Sequence, residues 1–305
     1  MPSKKTDGAR VTVVICVLDD WRILRTLSSL TEQTVDPSFF RVVVVSSGRE
    51  DYGRAIKSFP LNVKLVTTAA PRLSIKRNLG LAEVTTKYFL TIDADCFAQP
   101  GWVEAMTTCI AEGPDDLVGV GGRVAKYAVD TVTQKYGITV DDGQSTLGRL
   151  PALHLPYVAG ANAGFKTAAV QAVGGYDEQY ICGEDVDICY KLGLRGGKLA
   201  IAENAWIYHE DRRRLVDHYR RFRHLAVDQA LLFKNYRGES GRSWYLDPFP
   251  WRRLSDGVRS TAGGLPLAIR GDWSGVATGL VTAVEAAGIV AGQIRGSRRH
   301  RVVYL

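Results

Sequence analysis

Val11–Leu18 reads VTVVICVL, eight residues without a charge and with β-branched side chains at six positions. A strand that is apolar on both faces has to be covered on both faces, and helices usually supply that cover. The segment that follows, Ile23–Gln33, places Ile23, Leu24, Leu27 and Leu30 on one helical stripe. The alternation then repeats. Arg41–Val45 (RVVVV) and Val63–Val66 are strand-like, Ser74–Glu83 is helix-like, and Tyr88–Ile92 (YFLTI) is a fourth apolar strand. Pro100-Gly101 opens a helix over Trp102–Ile110, and another strand falls near Leu117–Val120. Strand–helix alternation with short turns predicts an α/β fold, a mostly parallel central sheet flanked by helices. Ligands of such sheets lie beyond the carboxyl ends of the strands, which fixes where chemistry should be sought.

Composition matters mainly through where the charge lies. The 305 residues are 46% hydrophobic and 23% charged, which excludes a disordered chain. The net charge of +7 belongs to the C-terminal third: residues 205–305 hold 17 Lys/Arg against 9 Asp/Glu, and the preceding 204 hold 22 against 23. Five scattered cysteines without a CxxC pair predict a reducing compartment and no thiolate metal site. Met1–Arg10 lacks the pattern of a secretory leader, so the expected location is cytoplasmic. Between Ala125 and Pro156 the periodicity breaks, as in a working loop. A long helix with a basic start is expected over Arg212–Asn235.

Two acidic clusters stand out. Asp93-Ala94-Asp95 follows directly on the strand Tyr88–Ile92, so both acids can reach one hard divalent cation, Mg²⁺ or Mn²⁺, together with a substrate diphosphate. The plain alternative is a turn in which the aspartates bond their own backbone. Glu184-Asp185-Val186-Asp187 opens a helix, where acids are favoured by the helix dipole but are also placed to act as a general base. His209 ends the strand-like Ala205–Tyr208 and is either a satisfied core histidine or a third metal ligand.

Taken in order, these segments resemble the large inverting glycosyltransferase family 2, of the GT-A fold. The resemblance is carried by VTVVICVLDDWRILRTLSSLTEQT, VVVVSSG, Arg77-Asn78-Leu79-Gly80-Leu81-Ala82 and Asp93-Ala94-Asp95. It continues through Gly160-Ala161-Asn162-Ala163, Gly174-Gly175-Tyr176-Asp177-Glu178 and Gly183-Glu184-Asp185-Val186-Asp187, and spans roughly residues 10–235. It implies a nucleotide-diphosphate sugar donor, with Val17, Asp19, Ser47, Arg72, Arg77, Asp93, Ala94 and Asp95 on the donor side. It further implies Mn²⁺ or Mg²⁺ held by Asp93, Asp95 and His209, and Asp185, with Glu184, as the catalytic carboxylates. In the family the second strand usually ends in a pair of Asp/Asn before Gly. This chain has Ser46-Ser47-Gly48, which weakens a uridine assignment and leaves UDP, GDP and dTDP sugars open.

The expected division is a nucleotide-sugar-binding and catalytic domain over residues 1–235 and a mainly helical extension over 236–305. Within the extension, Gly275–Gly292 (GVATGLVTAVEAAGIVAG) predicts a packed helix. Its 18 residues are marginal for spanning a bilayer and are interrupted by Glu285, which leaves peripheral membrane contact through the basic C-terminal region as the alternative. The acceptor is expected to bear a hydroxyl but has no signature. No nucleic-acid motif accompanies Trp244, Tyr245, Phe249 and Trp251. A nucleotidyltransferase would need a Gly-rich, basic loop after the first strand, where Val17-Leu18-Asp19-Asp20 stands. A silent nucleotide-sugar-binding module would not need Asp93, Asp95 and Asp185 together.

Overall fold

The computed structural model describes residues 9–137, 147–150, 152–153 and 155–305. Along the chain run β1 (Val11–Leu18), α1 (Ile23–Thr31), β2 (Phe40–Ser47), α2 (Gly53–Ile56), β3 (Val63–Thr67), α3 (Leu73–Ala82), β4 (Tyr88–Ile92), β5 (Cys96–Ala98), α4 (Trp102–Glu112) and β6 (Leu117–Lys126). They are followed by α5 (Val132–Tyr136), β7 (Gly148–Arg149), β8 (Pro156–Tyr157), β9 (Asn162–Lys166), α6 (Thr167–Ala172), α7 (Glu184–Gly193) and β10 (Lys198–His209). The chain ends with α8 (Leu215–Val227), α9 (Gln229–Ser240), α10 (Pro248–Ala268) and α11 (Ser274–His300). These elements form two units, one of Met1–Ala125, Gly143–Gly148 and Pro156–His209, the other of Lys126–Asp142, Arg149–Leu155 and Glu210–Leu305.

The first unit is a mixed eight-stranded sheet in the order β3-β2-β1-β4-β9-β6-β10-β5. The first four predicted strands make its parallel half: β1 pairs in parallel with β2 and β4, and β2 with β3. The antiparallel half comes from β9, which pairs with both β4 and β6, and from β10 against β5. Alternate residues of β1 serve opposite faces, as a period of two requires. Val11, Val13, Ile15 and Val17 pack with Ile23, Leu27 and Leu30 of α1 and Trp102, Met106 and Ile110 of α4. Val14, with Val43 and Val45, packs with Leu81 of α3 and Ile188 and Leu192 of α7. This two-sided cover is why β1 carries no charged residue.

In the second unit α11 is the central helix. Backbone of α8 lies close enough that a Cβ on Gly288 would come within 2.8 Å of the Tyr219 carbonyl, and one on Gly292 or Gly296 would strike the carbonyl of Arg223 or Val227. Gly275 and Gly279 meet Gly264 and Gly257 of α10 in the same way. Glu285, the acid that interrupts the apolar run, is fully buried, where it accepts from His218 Nε2 at 2.8 Å and pairs with Arg253. By length and composition Ser274–His300 could cross a membrane, but its small and polar residues are spent on these helix contacts.

Two expectations change. The single helix read over Arg212–Asn235 is two helices, α8 and α9, which meet at Asp228. Buried Asp228, the residue between them, lies 3.1 Å from His300 Nε2. In the irregular stretch Ala125–Pro156, Thr131 and Gln134 form a capping box that starts α5, whereas residues 138–146, 151 and 154 lie outside the described residues.

Candidate functional site

The carboxylates gather where β4 ends. Ala94 is buried and its carbonyl accepts from Thr26 Oγ1 at 3.0 Å, while the amide of Cys96 closes the turn onto the Asp93 carbonyl at 3.1 Å. The turn is therefore pinned from α1, and the two acids flanking Ala94 engage different partners. Asp93 Oδ1 lies 3.7 Å from Arg77 Nη2. Asp95 Oδ2 lies 3.7 Å from His209 Nε2 and 3.5 Å from Arg22 Nη2. His209 arrives there by sheet register, since β10 pairs with β5 and sets His209 opposite Cys96.

Arg77 organises the other side. Its guanidinium is buried, donating from Nε to Glu184 Oε1 at 2.9 Å and from Nη1 to the Gly160 carbonyl at 3.3 Å, with the Tyr176 ring 5.7 Å away. Gly160 must lack a side chain, because a Cβ there would collide with the guanidinium. Glu184 is equally buried, which pushes its carboxyl up to about 7 against the pull of Arg77. Its neighbour Asp185 is only half-buried and accepts from the Gly160 amide at 2.8 Å and the Val186 amide at 2.9 Å. Asp93 keeps 37% of its side chain exposed, yet the protein crowded around it raises its carboxyl despite Arg77, and the like charge of Asp95 adds to that rise.

The ends of β1 and β2 complete the cluster. The Val17 carbonyl accepts from Lys76 Nζ at 3.1 Å, and burial lowers the tendency of this lysine to hold its proton. Asp19 adopts a positive φ of 46° and accepts the amides of Arg49 and Glu50 at 2.6 and 3.0 Å, so it braces the loop after β2. Ser47 is buried at the end of β2, and among the described residues its hydroxyl has no partner. Leu18, which pairs with Ser47 in the β1–β2 register, and Trp21 stand exposed, Trp21 donating to Glu50 Oε2 at 2.9 Å. Arg72, at the N-cap of α3, donates to the Glu178 carbonyl at 2.9 Å and not to a carboxylate of the cluster.

The residues the sequence singled out thus fall into three linked groups: Asp95 with His209, Asp93 with Arg77, Glu184 and the Gly160 turn that holds Asp185, and Val17, Asp19 and Ser47 at the neighbouring strand ends. The donor set fits a divalent cation of intermediate hardness, a carboxylate and an imidazole side by side with a second carboxylate one residue away. The electrostatics agree, since two adjacent acids raise each other's affinity for a positive charge. Among the described residues, Asp95, His209 and Cys96 bring potential ligand atoms within 4.8 Å of one another, a group that does not include Asp93 and whose cysteine the spacing does not disclose. Also unread were Lys76 and Arg22. A lysine inside a helix beside an arginine reads as surface charge until its burial is known, and Arg22 gains meaning only from its contact with Asp95.

Comparison with known proteins bears on the family and the fold. Residues 12–174 match the family model described as "Glycosyl transferase family 2". A pre-mycofactocin glycosyltransferase of Mycobacterium tuberculosis is 31% identical over 149 residues, which is 46% of this chain and 30% of that protein, so the match spans less than a third of the relative. A glucosyl-dolichyl phosphate glucuronosyltransferase of Haloferax volcanii is 26% identical over 213 residues, covering 63% of this chain and 66% of that protein. Among solved structures, a mannosyltransferase of Pyrobaculum calidifontis in complex with GDP-Man and Mn²⁺ superposes with a TM-score of 0.63 at 17% identity, covering 94% of this chain and 86% of that one. This last likeness is one of fold.

Proposed function

The chain belongs to glycosyl transferase family 2, and on that premise we propose that it moves a sugar from a nucleotide-diphosphate sugar to an acceptor hydroxyl, in one displacement that inverts the anomeric centre. What supports the reading is the placement of the acids: Asp93 and Asp95 lie in the turn after β4, while Asp185 is held by the Gly160 turn, half-buried. Asp185 takes the acceptor's proton as the hydroxyl oxygen forms its bond to the anomeric carbon. The bond from that carbon to the phosphate oxygen breaks on the opposite face, and the electron pair leaves with the nucleoside diphosphate. Glu184 keeps Arg77 in place, and Arg77 in turn fixes the Gly160 backbone to which Asp185 is anchored. A Mn²⁺ or Mg²⁺ ion held by Asp93, Asp95 and His209 would supply the positive charge that a departing diphosphate requires. Two solved structures of similar fold support this role: the Pyrobaculum calidifontis mannosyltransferase holds GDP-Man and Mn²⁺, and GalNAc-T7 holds UDP, GalNAc and Mn²⁺.

The site belongs to the first unit, and the acceptor is expected to be selected partly elsewhere. The test is incubation with UDP, GDP and dTDP sugars and a panel of hydroxyl-bearing acceptors, with the anomeric configuration of the product read by NMR. Transfer with inversion is the expected result. A product that keeps the donor's configuration would exclude single displacement with Asp185 as base.

A further inference from the structure

The helix that precedes α11 presents an apolar face to solvent. Trp251, Leu254, Val258 and Leu265 of α10, with Ile269 at its C-cap, recur at intervals of three, four and seven residues, so they share one side of the helix. All five are exposed, Val258 to 61% and Ile269 to 89%, and Trp273 in the next turn is exposed as well. The side packed on α11 is a different one, made by Gly257, Gly264 and Ala268. A soluble surface rarely carries so continuous an apolar row without a partner.

The charge pattern indicates which partner. Arg252 and Arg259 follow Trp251 and Val258 by one residue each and are seven apart, so they form a row along one flank of the stripe, and exposed Arg270 follows its end. α10 holds one acid, Asp256, which pairs with Arg259 of the same helix at 3.7 Å, and exposed Asp272 follows Arg270 and Gly271 beyond the helix. A second copy of the chain meeting this face with its own would bring more arginines than acids to the flank. An anionic bilayer offers apolar depth for the stripe, phosphates for the arginines and an interfacial zone suited to Trp251. We propose that the outward face of α10, from Trp251 to Ile269, docks the protein on anionic membrane surfaces with the helix lying in the interface plane. The contact thus falls on α10 and not on the apolar segment Gly275–Gly292, whose small residues face other helices. The proposal involves no donor or metal and stands apart from the transferase reading.

Flotation with phosphatidylcholine vesicles and with phosphatidylglycerol-containing vesicles tests it, with sedimentation of the free protein alongside. The full chain should float with the anionic vesicles and be released by salt, and loss of each of Arg252 and Arg259 to alanine should weaken partitioning roughly fivefold. The double variant Val258→Glu, Leu265→Glu should lose vesicle binding while keeping the wild-type melting temperature, because both side chains are exposed. Leu194→Glu, an acid placed at another exposed apolar position, should float as wild type does. The proposal is overturned if the wild type ignores both vesicle types, or if the double variant floats normally. It is equally overturned if the wild type sediments as a dimer that the double variant dissociates while neither binds lipid, since the face would then join two copies.

Discussion

Asp185 and Glu184 are adjacent and both acidic, yet their surroundings give them different work. Glu184 is sealed against Arg77, while Asp185 is half-buried on a backbone amide. Asp185→Asn keeps the shape and one of the two amide contacts, since its single oxygen can accept from Gly160 or from Val186 while its NH2 group cannot, and it removes the basicity. It should lower kcat by roughly 10²–10⁴-fold with donor affinity unchanged and only a small fall in melting temperature. If the residue served only its helix, kinetics would stay near wild type and the melting temperature would fall instead. Ser47 gives a second separation. Its buried hydroxyl has no partner among the described residues, so Ser47→Ala should leave the free protein's stability unchanged or slightly higher. If the hydroxyl meets the nucleotide base, the same change weakens nucleoside diphosphate binding by about three- to tenfold, the loss of one hydrogen bond. Calorimetric titration checks the second statement and thermal melting the first. At this scale the sequence revealed the acids and Arg77, whose types and spacing are tied to the family pattern. It could not reveal Lys76, Arg22 or the role of Gly160, because each acts through a contact with residues 59 to 83 positions away.

The elements divide according to how strongly their own residues dictate them. The strands β1, β2 and β4 were legible because burial on both faces leaves continuous apolar runs, the half-buried edge strand β3 from Val63, Leu65 and Val66, and α1 because one stripe of aliphatics faces the sheet. β5 was not, being three residues long, nor β9, whose Asn162-Ala163-Gly164 carries no strand-like period. Asn162 is held there by tertiary hydrogen bonds, from its Nδ2 to the carbonyls of Arg123 and Ala205 and from Trp102 Nε1 to its Oδ1. α10 was hidden by Gly257, Gly263, Gly264 and Pro266, residues that weaken a helix taken alone. Two of those glycines are the reason α10 can approach α11, so the feature that obscures the helix is the one that packs it. The same logic yields a prediction for α11. Gly292→Val would drive a side chain into the Arg223 carbonyl and Ala226 of α8. It should destabilise the protein by about 1–3 kcal/mol or more, the usual range for overpacking, seen as a lower denaturant midpoint. Ala287→Val, on the exposed side of α11, should cost under about 0.7 kcal/mol, the propensity difference alone.

At the scale of the whole chain, the nucleotide-diphosphate donor proposed above would have to approach an acidic site. The C-terminal third carries the positive excess, while Asp93, Asp95, Glu184 and Asp185 all belong to the first unit. The cations beside them are already engaged: Arg77 with Glu184 and Gly160, Lys76 with the Val17 carbonyl, and Arg22 with Asp20 as well as Asp95. A diphosphate entering beside Asp93 and Asp95 without further positive charge would meet net repulsion, at a carboxylate that protein crowding and its neighbour already make reluctant to ionise. Binding of the nucleoside diphosphate should therefore be linked to a divalent cation. Mn²⁺ and nucleoside diphosphate together should raise the melting temperature by more than the sum of their separate effects. A ligand present at about a hundred times its dissociation constant stabilises by roughly 2.7 kcal/mol, a shift of several degrees. EDTA should abolish that synergy. Asp95→Ala should abolish it too, because the substitution removes the carboxylate next to His209 while leaving Arg77 and its partners untouched. Equal stabilisation by the nucleotide in EDTA and in Mn²⁺ would mean that the protein's own cations suffice, and that Asp95 and His209 meet for structural reasons alone.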